Sequence, residues 1–221
     1  MDASFSLISN LSIYGSVNQS LRIPTYTELY YSGPTNIGNP DLKPEEAVNF
    51  ETGFKYLNKA VDTHIGIFYR NGKNIIDWVK ETNTDLKWQT MNHTEINTFG
   101  LEFSSRIMVS EFLKHQPLKW ININYSWLNT TKKSGDLISY YTLDYLKHRF
   151  SVGFNLQPVK NTNITMQTNF QQRNGTYSEW DSQTAQWIGE ASYKPFATID
   201  LRVSYTYRWA TIFAEANNMT N

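Results

Sequence analysis

Hydrophobic and polar residues alternate with a period of two along most of this 221-residue chain. Leu11, Ile13, Gly15 and Val17 are interleaved with Ser12, Tyr14, Ser16 and Asn18, and Val48, Phe50, Thr52, Phe54 and Tyr56 with Asn49, Glu51, Gly53 and Lys55. Val61, Thr63, Ile65, Ile67 and Tyr69 stand against Asp62, His64, Gly66 and Arg70, and the pattern returns at 99–104, 121–127, 149–156, 164–171 and 199–207. Successive side chains of a strand point to opposite faces, so each run predicts a strand with one apolar and one polar face. With shorter pieces at 2–7 and 210–217, about ten strands are expected.

The connections alternate in length. Short links at 8–10, 58–60, 110–117, 158–162 and 208–209 are separated by long ones at 20–45, 72–95, 130–145 and 173–195. In an antiparallel up-and-down meander every second connection lies at the same end, so this order predicts tight turns at one end and large loops at the other. Membrane β-barrels show that asymmetry, whereas a Greek-key sandwich mixes the two sets. The short links carry turn residues, among them Ser9-Asn10, Asn58-Lys59, Pro158 and Asn161.

No stretch holds 18 apolar residues, so no transmembrane helix is expected. A barrel hides its lipid face in the alternation, and mean hydropathy, here −0.51, is diluted by the polar face. Aromatic residues make up 15% of the chain, with 14 Tyr and 7 Trp, a supply that suits the interfacial girdles of a membrane barrel. The polar face carries Glu51, Lys55, Arg70, Glu102, Arg106, Arg149, Asp200 and Arg202, groups that a hydrated lumen tolerates and a dry core does not. The solvent face of a soluble sheet explains the charges equally well, but then the opposite face needs a second layer.

Twenty basic and 20 acidic residues leave no net charge, which argues against nucleic acid as a partner. There is no cysteine, so disulfides and thiolate metal sites are excluded. The four histidines, His64, His93, His115 and His148, lie in separate segments without zinc-ligand spacing, and no metal or other cofactor is expected. Glu45 and Glu46 are adjacent, so on a strand they point apart and cannot converge on a substrate. No nucleophile elbow, phosphate loop or dinucleotide fingerprint occurs, and the chain reads as a non-enzyme. Ligand recognition is expected in the long loops, at Tyr140, Tyr141, Tyr177, Trp180 and Trp187, where aromatic faces stand beside polar groups. Trp180 and Trp187 also suit girdle anchors at the outer leaflet.

Two linked motifs lie within the first long connection. Arg22, Pro24, Glu28 and Leu29 precede Asn39, Pro40, Leu42, Pro44 and Glu45, and an alternating strand follows. This arrangement resembles the C-terminal barrel of TonB-dependent outer-membrane receptors. Tyr69-Arg70-Asn71 with Ile75-Ile76-Asp77, then Asn92, Ile96 and Gly100-Leu101-Glu102, is most similar to the cobalamin receptor group, and Ala214 to Asn221 resembles the ending of that family's penultimate strand.

The resemblance implies an all-β fold, an antiparallel meander of about ten strands forming part of a transmembrane outer-membrane barrel. The nine motif residues would then be structural. Residues 1–221 would be the C-terminal portion of the barrel, with the plug domain, the first half of the barrel and the last strand outside it. Met1-Asp2-Ala3-Ser4 has no features of an export signal, so an exported precursor is expected to begin upstream. The implied function is uptake of a scarce nutrient, cobalamin or an iron-siderophore, with outer-membrane lipid, the TonB complex acting through the plug, and the nutrient as partners. The piece alone would not transport. Two alternatives are a soluble carbohydrate-binding β-module and a small closed barrel acting as a pore or adhesin.

Overall fold

A computed structural model describes residues 1–82, 84–133, 137–140, 144–184 and 186–220, with the backbone alone for Thr94 and Lys133. In chain order its elements are β1 (Asp2–Ile8), β2 (Leu11–Arg22), α1 (Tyr26–Tyr30), β3 (Asn36–Ile37), β4 (Glu45–Leu57), β5 (Val61–Lys80) and β6 (Trp88–Met108). There follow α2 (Val109–Phe112), β7 (Leu118–Lys133), β8 (Ile138–Ser139), β9 (Leu146–Leu156), β10 (Thr162–Arg173), β11 (Thr176–Asp181), β12 (Gln186–Ser192), β13 (Phe196–Tyr207) and β14 (Ala210–Ala216).

The order β1-β2-β4-β5-β6-β7-β9-β10-β13-β14 forms one antiparallel meander, the ten strands expected from the alternation. The remaining strands are additions at its loop end. β3 pairs with β6, β8 pairs with β5, and β11 and β12 form a separate hairpin. Among the described residues β1 and β14 do not pair with each other, so the sheet is open.

Register makes each face continuous. Val17, Phe50, Tyr69 and Phe99 align across β2, β4, β5 and β6, and Phe103, Tyr125, Phe150 and Phe170 across β6, β7, β9 and β10. These apolar side chains form a belt that is largely half-exposed to the surroundings, with Phe50 at 48% and Phe150 at 41%. A half-exposed apolar belt this broad is unfavourable in water and is the lipid face of a barrel. The opposite face reads Ser12, Lys55, His64, Ser104, Asn124, Ser151, Asn169 and Thr198 from β2 to β13. Its side chains bond one another across strands: Ser104 Oγ donates to Asn124 Oδ1 (2.9 Å), and Asn124 Nδ2 donates to Ser151 Oγ (3.2 Å).

Tyr14 lies on this polar face over Gly53. A Cβ at Gly53 would sit 2.2 Å from the Ile65 carbonyl oxygen and 2.8 Å from the Tyr14 hydroxyl, so only glycine fits. The phenol donates to Glu51 Oε1 (2.7 Å) and lies 2.5 Å from His64 Nε2. Because a phenol has one proton, His64 supplies the proton in the second bond.

The predicted asymmetry of the ends holds, but the strands run further than the alternation indicated. β5 continues to Lys80 and β6 starts at Trp88, so most of the link expected at 72–95 is a hairpin extension. Asn74, at φ 54°, and shifts of register around Ile75 form a bulge that carries the ladder through the polar stretch Asn71-Gly72-Lys73-Asn74. β7 likewise reaches Lys133, and the last long link holds the β11–β12 hairpin. On the short-turn side, the 110–117 link contains α2.

Candidate functional site

Most of the fully enclosed hydrophobic side chains and the two least exposed residues belong to the long-loop end of the molecule. Ile76, Asp77, Val79 and Thr90 lie in the β5–β6 extension, and Ala47 lies at the start of β4; Val79 and Thr90 are each 1% exposed. The link 23–44 docks beside them. Thr25 caps α1 by accepting from the Glu28 backbone N–H, and Glu28 returns the bond to the Thr25 backbone, which completes a capping box. The Thr25-x-x-Glu28 spacing is the sequence signal for this turn.

Glu28 also joins an ion cluster. Its carboxylate accepts from Arg22 (3.1 Å), and Arg22 Nη2 donates to Glu45 Oε1 (2.5 Å). The same Glu45 oxygen accepts from the Ile76 backbone N–H (2.9 Å). Burial pushes the Glu28 carboxyl up, but hydrogen bonds from Arg22 and from the Thr25 backbone and hydroxyl outweigh it and hold the group below the usual carboxylate range. Glu46, on the other face of the strand, stands opposite Lys73, so the two adjacent glutamates diverge as their strand spacing requires.

The rest of the link is pinned through its backbone. The Glu28 carbonyl accepts from Asn39 N–H (2.9 Å) and from Thr90 Oγ1 (2.8 Å). Gly38 passes so close to α1 that a Cβ would lie 2.8 Å from that carbonyl oxygen. Asn39 Oδ1 accepts from Asp41 N–H (2.9 Å), forming an Asx turn around Pro40. Asn92 Oδ1 accepts from Lys43 N–H (2.7 Å), while its Nδ2 donates to the carbonyls of Lys43 (2.8 Å) and Asn74 (2.7 Å). Thus Arg22, Glu28, Asn39 and Glu45 form bonds that hold the loop, with Leu29 and Leu42 half-buried and Pro24, Pro40 and Pro44 bracketing its turns. Thr90 carries no sequence signal for its place in this clamp, and Asn92 stands out in the sequence only within the pattern that resembles the cobalamin receptor group.

The aromatic candidates fall in two places. Tyr140 packs edge-on against Trp88, with ring centroids 5.0 Å apart, and Lys80 Nζ lies 4.8 Å from the Trp88 centroid. Beside them Ser139 donates to the buried Asp77 carboxylate. Tyr141 lies outside the described residues. Tyr177, Trp180 and Trp187 lie instead on the β11–β12 hairpin, where Trp180 and Trp187 are register partners. Tyr177 contacts Tyr193 at 5.3 Å, and the hairpin base is tied by Arg173 to Asp144 and by Tyr193 Oη to Asp144 Oδ2 (3.3 Å). Trp180 and Trp187 thus lie on a two-stranded sheet that pairs with no strand of the meander among the described residues.

Several recesses occupy the sheet itself, and two of them mark its two faces. One of about 450 Å³ lies on the apolar face over Gly15, Thr52 and Phe50, and one of about 310 Å³ lies on the polar face among His64, Glu102, Asn124 and Arg149. Neither adjoins the loop aromatics. The fold and the clamp therefore describe a two-faced sheet with a built cluster of loops at one end.

Known proteins share this architecture. The vitamin B12 transporter BtuB of Photobacterium profundum is 25% identical over 134 residues, covering 60% of this chain and 20% of that protein. The iron-regulated outer membrane virulence protein of Vibrio cholerae is 24% identical over 176 residues, covering 72% of this chain and 26% of that protein. A variant of the ferric enterobactin receptor of Pseudomonas aeruginosa, solved with enterobactin, superposes with a TM-score of 0.69 at 15% identity over 99% of this chain and 34% of its own, a likeness of fold. The chain thus spans between a fifth and about a third of these relatives. Residues 2–219 match the model of the TonB dependent receptor-like β-barrel, and the chain belongs to that family of bacterial outer-membrane receptors.

Proposed function

We propose that this chain forms part of the wall and outer mouth of a transporter that takes up cobalamin or an iron-siderophore across the outer membrane with energy from TonB. The observation that carries this reading is the two-faced meander, apolar outward and polar inward, with its elaborated loops gathered at one end. Lipid covers the belt, and the loops meet the nutrient outside the cell. The named relatives support both cargo classes, one as a vitamin B12 transporter and the other as an iron-regulated protein.

The open edges of β1 and β14 support a larger closed wall, since family transporters have about 22 strands around a plug. In this reading the 221 residues are the C-terminal portion of that barrel, and the plug, the first half of the barrel and the last strand lie outside them. TonB acts through the plug, and the segment alone does not transport. Tyr140, Tyr141, Tyr177, Trp180 and Trp187 are the proposed nutrient contacts.

The test is uptake of radiolabelled cyanocobalamin and of iron-loaded siderophores by a strain stripped of its own receptors and carrying the receptor gene, with and without TonB. TonB-dependent uptake of either cargo is expected. Uptake of neither, or uptake of equal rate without TonB, overturns the reading.

A further inference from the structure

Some aromatic rings elsewhere in the protein carry cations supplied by the chain itself. Lys55 lies 4.7 Å from the Tyr14 centroid, Lys80 4.8 Å from Trp88, Arg106 5.6 Å from Trp120, Arg173 5.1 Å from Tyr193 and Arg202 4.3 Å from Phe213. Trp180 and Trp187 differ. They are 61% and 62% exposed, and among the described residues no cation covers either ring and no other ring touches them. As register partners they project from the same face of the hairpin.

That face also carries a carboxylate. Glu190 pairs with Ser178, two positions before Trp180 and therefore on the tryptophan side, and it accepts from Thr176 Oγ1 (3.1 Å). Residues 176–192 hold Glu179, Asp181 and Glu190 but no Lys or Arg. Asp181 is used by the turn, where it accepts from Gln183 N–H (2.8 Å) and Thr184 Oγ1 (2.6 Å). The nearest cations along the chain, Arg173 and Lys194, are each seven residues from the nearer tryptophan. That separation is roughly 20 Å of extended strand, about twice the screening length in physiological salt. Arg173 is in addition paired with Asp144.

Two open indole faces on a hairpin that carries a carboxylate and no Lys or Arg attract positive charge and repel negative charge, because the ring quadrupole and the carboxylate act with the same sign. Resting on the nutrient-receptor reading, we propose that the Trp180, Trp187 and Glu190 face of the β11–β12 hairpin is a subsite for a positively charged, amphipathic portion of the incoming ligand.

The probes are phenyltrimethylammonium and benzenesulfonate, matched in ring and opposite in charge, titrated by saturation-transfer NMR into the full receptor in detergent micelles. The expected Kd is about 10-fold lower for the cation, from two ring contacts and one carboxylate. Glu190→Gln is expected to narrow that gap to about 3-fold, and Trp180→Leu with Trp187→Leu to abolish it while keeping an apolar surface. Glu190→Gln is an exposed, isosteric change, so the test survives even where the leucine pair disturbs the hairpin. Equal or tighter binding of benzenesulfonate overturns the proposal, as does a cation preference that persists in both variants. Uptake of a nutrient without the charge preference overturns this subsite alone. The charge preference without uptake of any nutrient overturns the receptor reading and leaves the subsite as a cation-binding face.

Discussion

The link 23–44 and the β11–β12 hairpin leave the same end of the sheet, yet they spend their polar groups differently. In the first, Arg22, Glu28, Glu45, Thr90 and Asn92 bond to one another or to backbone, and β3 adds a two-residue parallel ladder to β6. In the second, the backbone satisfies itself within the hairpin, and the ties to the rest of the chain lie at the base, through Arg173, Asp144 and Tyr193. A segment whose charges are internally paired is fixed architecture. One whose rings and carboxylates face outward is free to engage something else.

The sharpest way to break this comparison is Arg22→Ala. It leaves the carboxylates of Glu28 and Glu45, at 13% and 12% side-chain exposure, without their cation. Water reaches Arg22 itself, which is 42% exposed, so the cost falls below that of a fully buried pair, at about 2–3 kcal/mol. Hydrogen exchange at the Ile76 amide, which donates to Glu45, is expected to rise about 30- to 150-fold with that loss, while amides of 176–192 stay unchanged. Equal loosening of both regions means that they are one unit and that the comparison fails.

Asn92→Ala probes the same clamp from the β6 side. It removes three bonds, to the amide and carbonyl of Lys43 and to the carbonyl of Asn74. The Lys43 backbone is near solvent and regains water, so the expected cost is about 1–2 kcal/mol. Exchange across 39–45 should rise about 5- to 30-fold, and a rise confined to Asn74 would show that the Lys43 bonds are dispensable.

A smaller effect follows from the lowered Glu28 carboxyl. Its folded value lies below the unfolded value of about 4.3, so the unfolded state binds the proton more readily. The stabilisation is therefore complete above that unfolded value and is lost as pH falls through the folded one. Docking of the link, followed by exchange or by limited proteolysis within 31–38, should be flat from pH 7 to about 5 and weaken below about 4. Glu28→Gln should weaken docking at neutral pH and flatten the acid dependence. An unchanged acid profile in that variant assigns the titration to another group.

How much of this was legible in the sequence follows from the range of each interaction. The meander was readable because a period of two is a local property, and Val17, Phe50, Tyr69 and Phe99 fall into register once neighbouring strands pair in sequence order. The extension of β5 was not, because Asn71-Gly72-Lys73-Asn74 has the composition of a turn, and only the bulge at Asn74 reveals that the ladder continues. The motif residues were visible as a group through their resemblance to a family. Their bonds were not, since Arg22 and Glu45 are 23 positions apart and Thr90 is 62 from Glu28. The aromatic candidates were picked by composition, which cannot distinguish Tyr140, already packed on Trp88, from Trp180 and Trp187 with open faces.

Trp187→Ala should have the smallest effect on stability and so sharpens the comparison most cleanly. The side chain is 62% exposed and contributes no ring contact among the described residues, so thermal stability of the receptor should change by less than about 0.5 kcal/mol. In the mouth, however, it removes one of two adjacent aromatic faces, and nutrient binding should weaken by about 3- to 30-fold on the scale of one aromatic contact. Tyr140→Ala is the comparison, because it removes a proposed contact whose ring also packs on Trp88 at 5.0 Å. It should disturb the packing of Trp88 and Lys80 more than Trp187→Ala disturbs any neighbour. Binding measured by titration of the nutrient into the detergent-solubilised receptor, beside calorimetric melting, separates the two roles. A Trp187→Ala variant that melts early and binds normally would make the hairpin a structural brace and reverse the assignment.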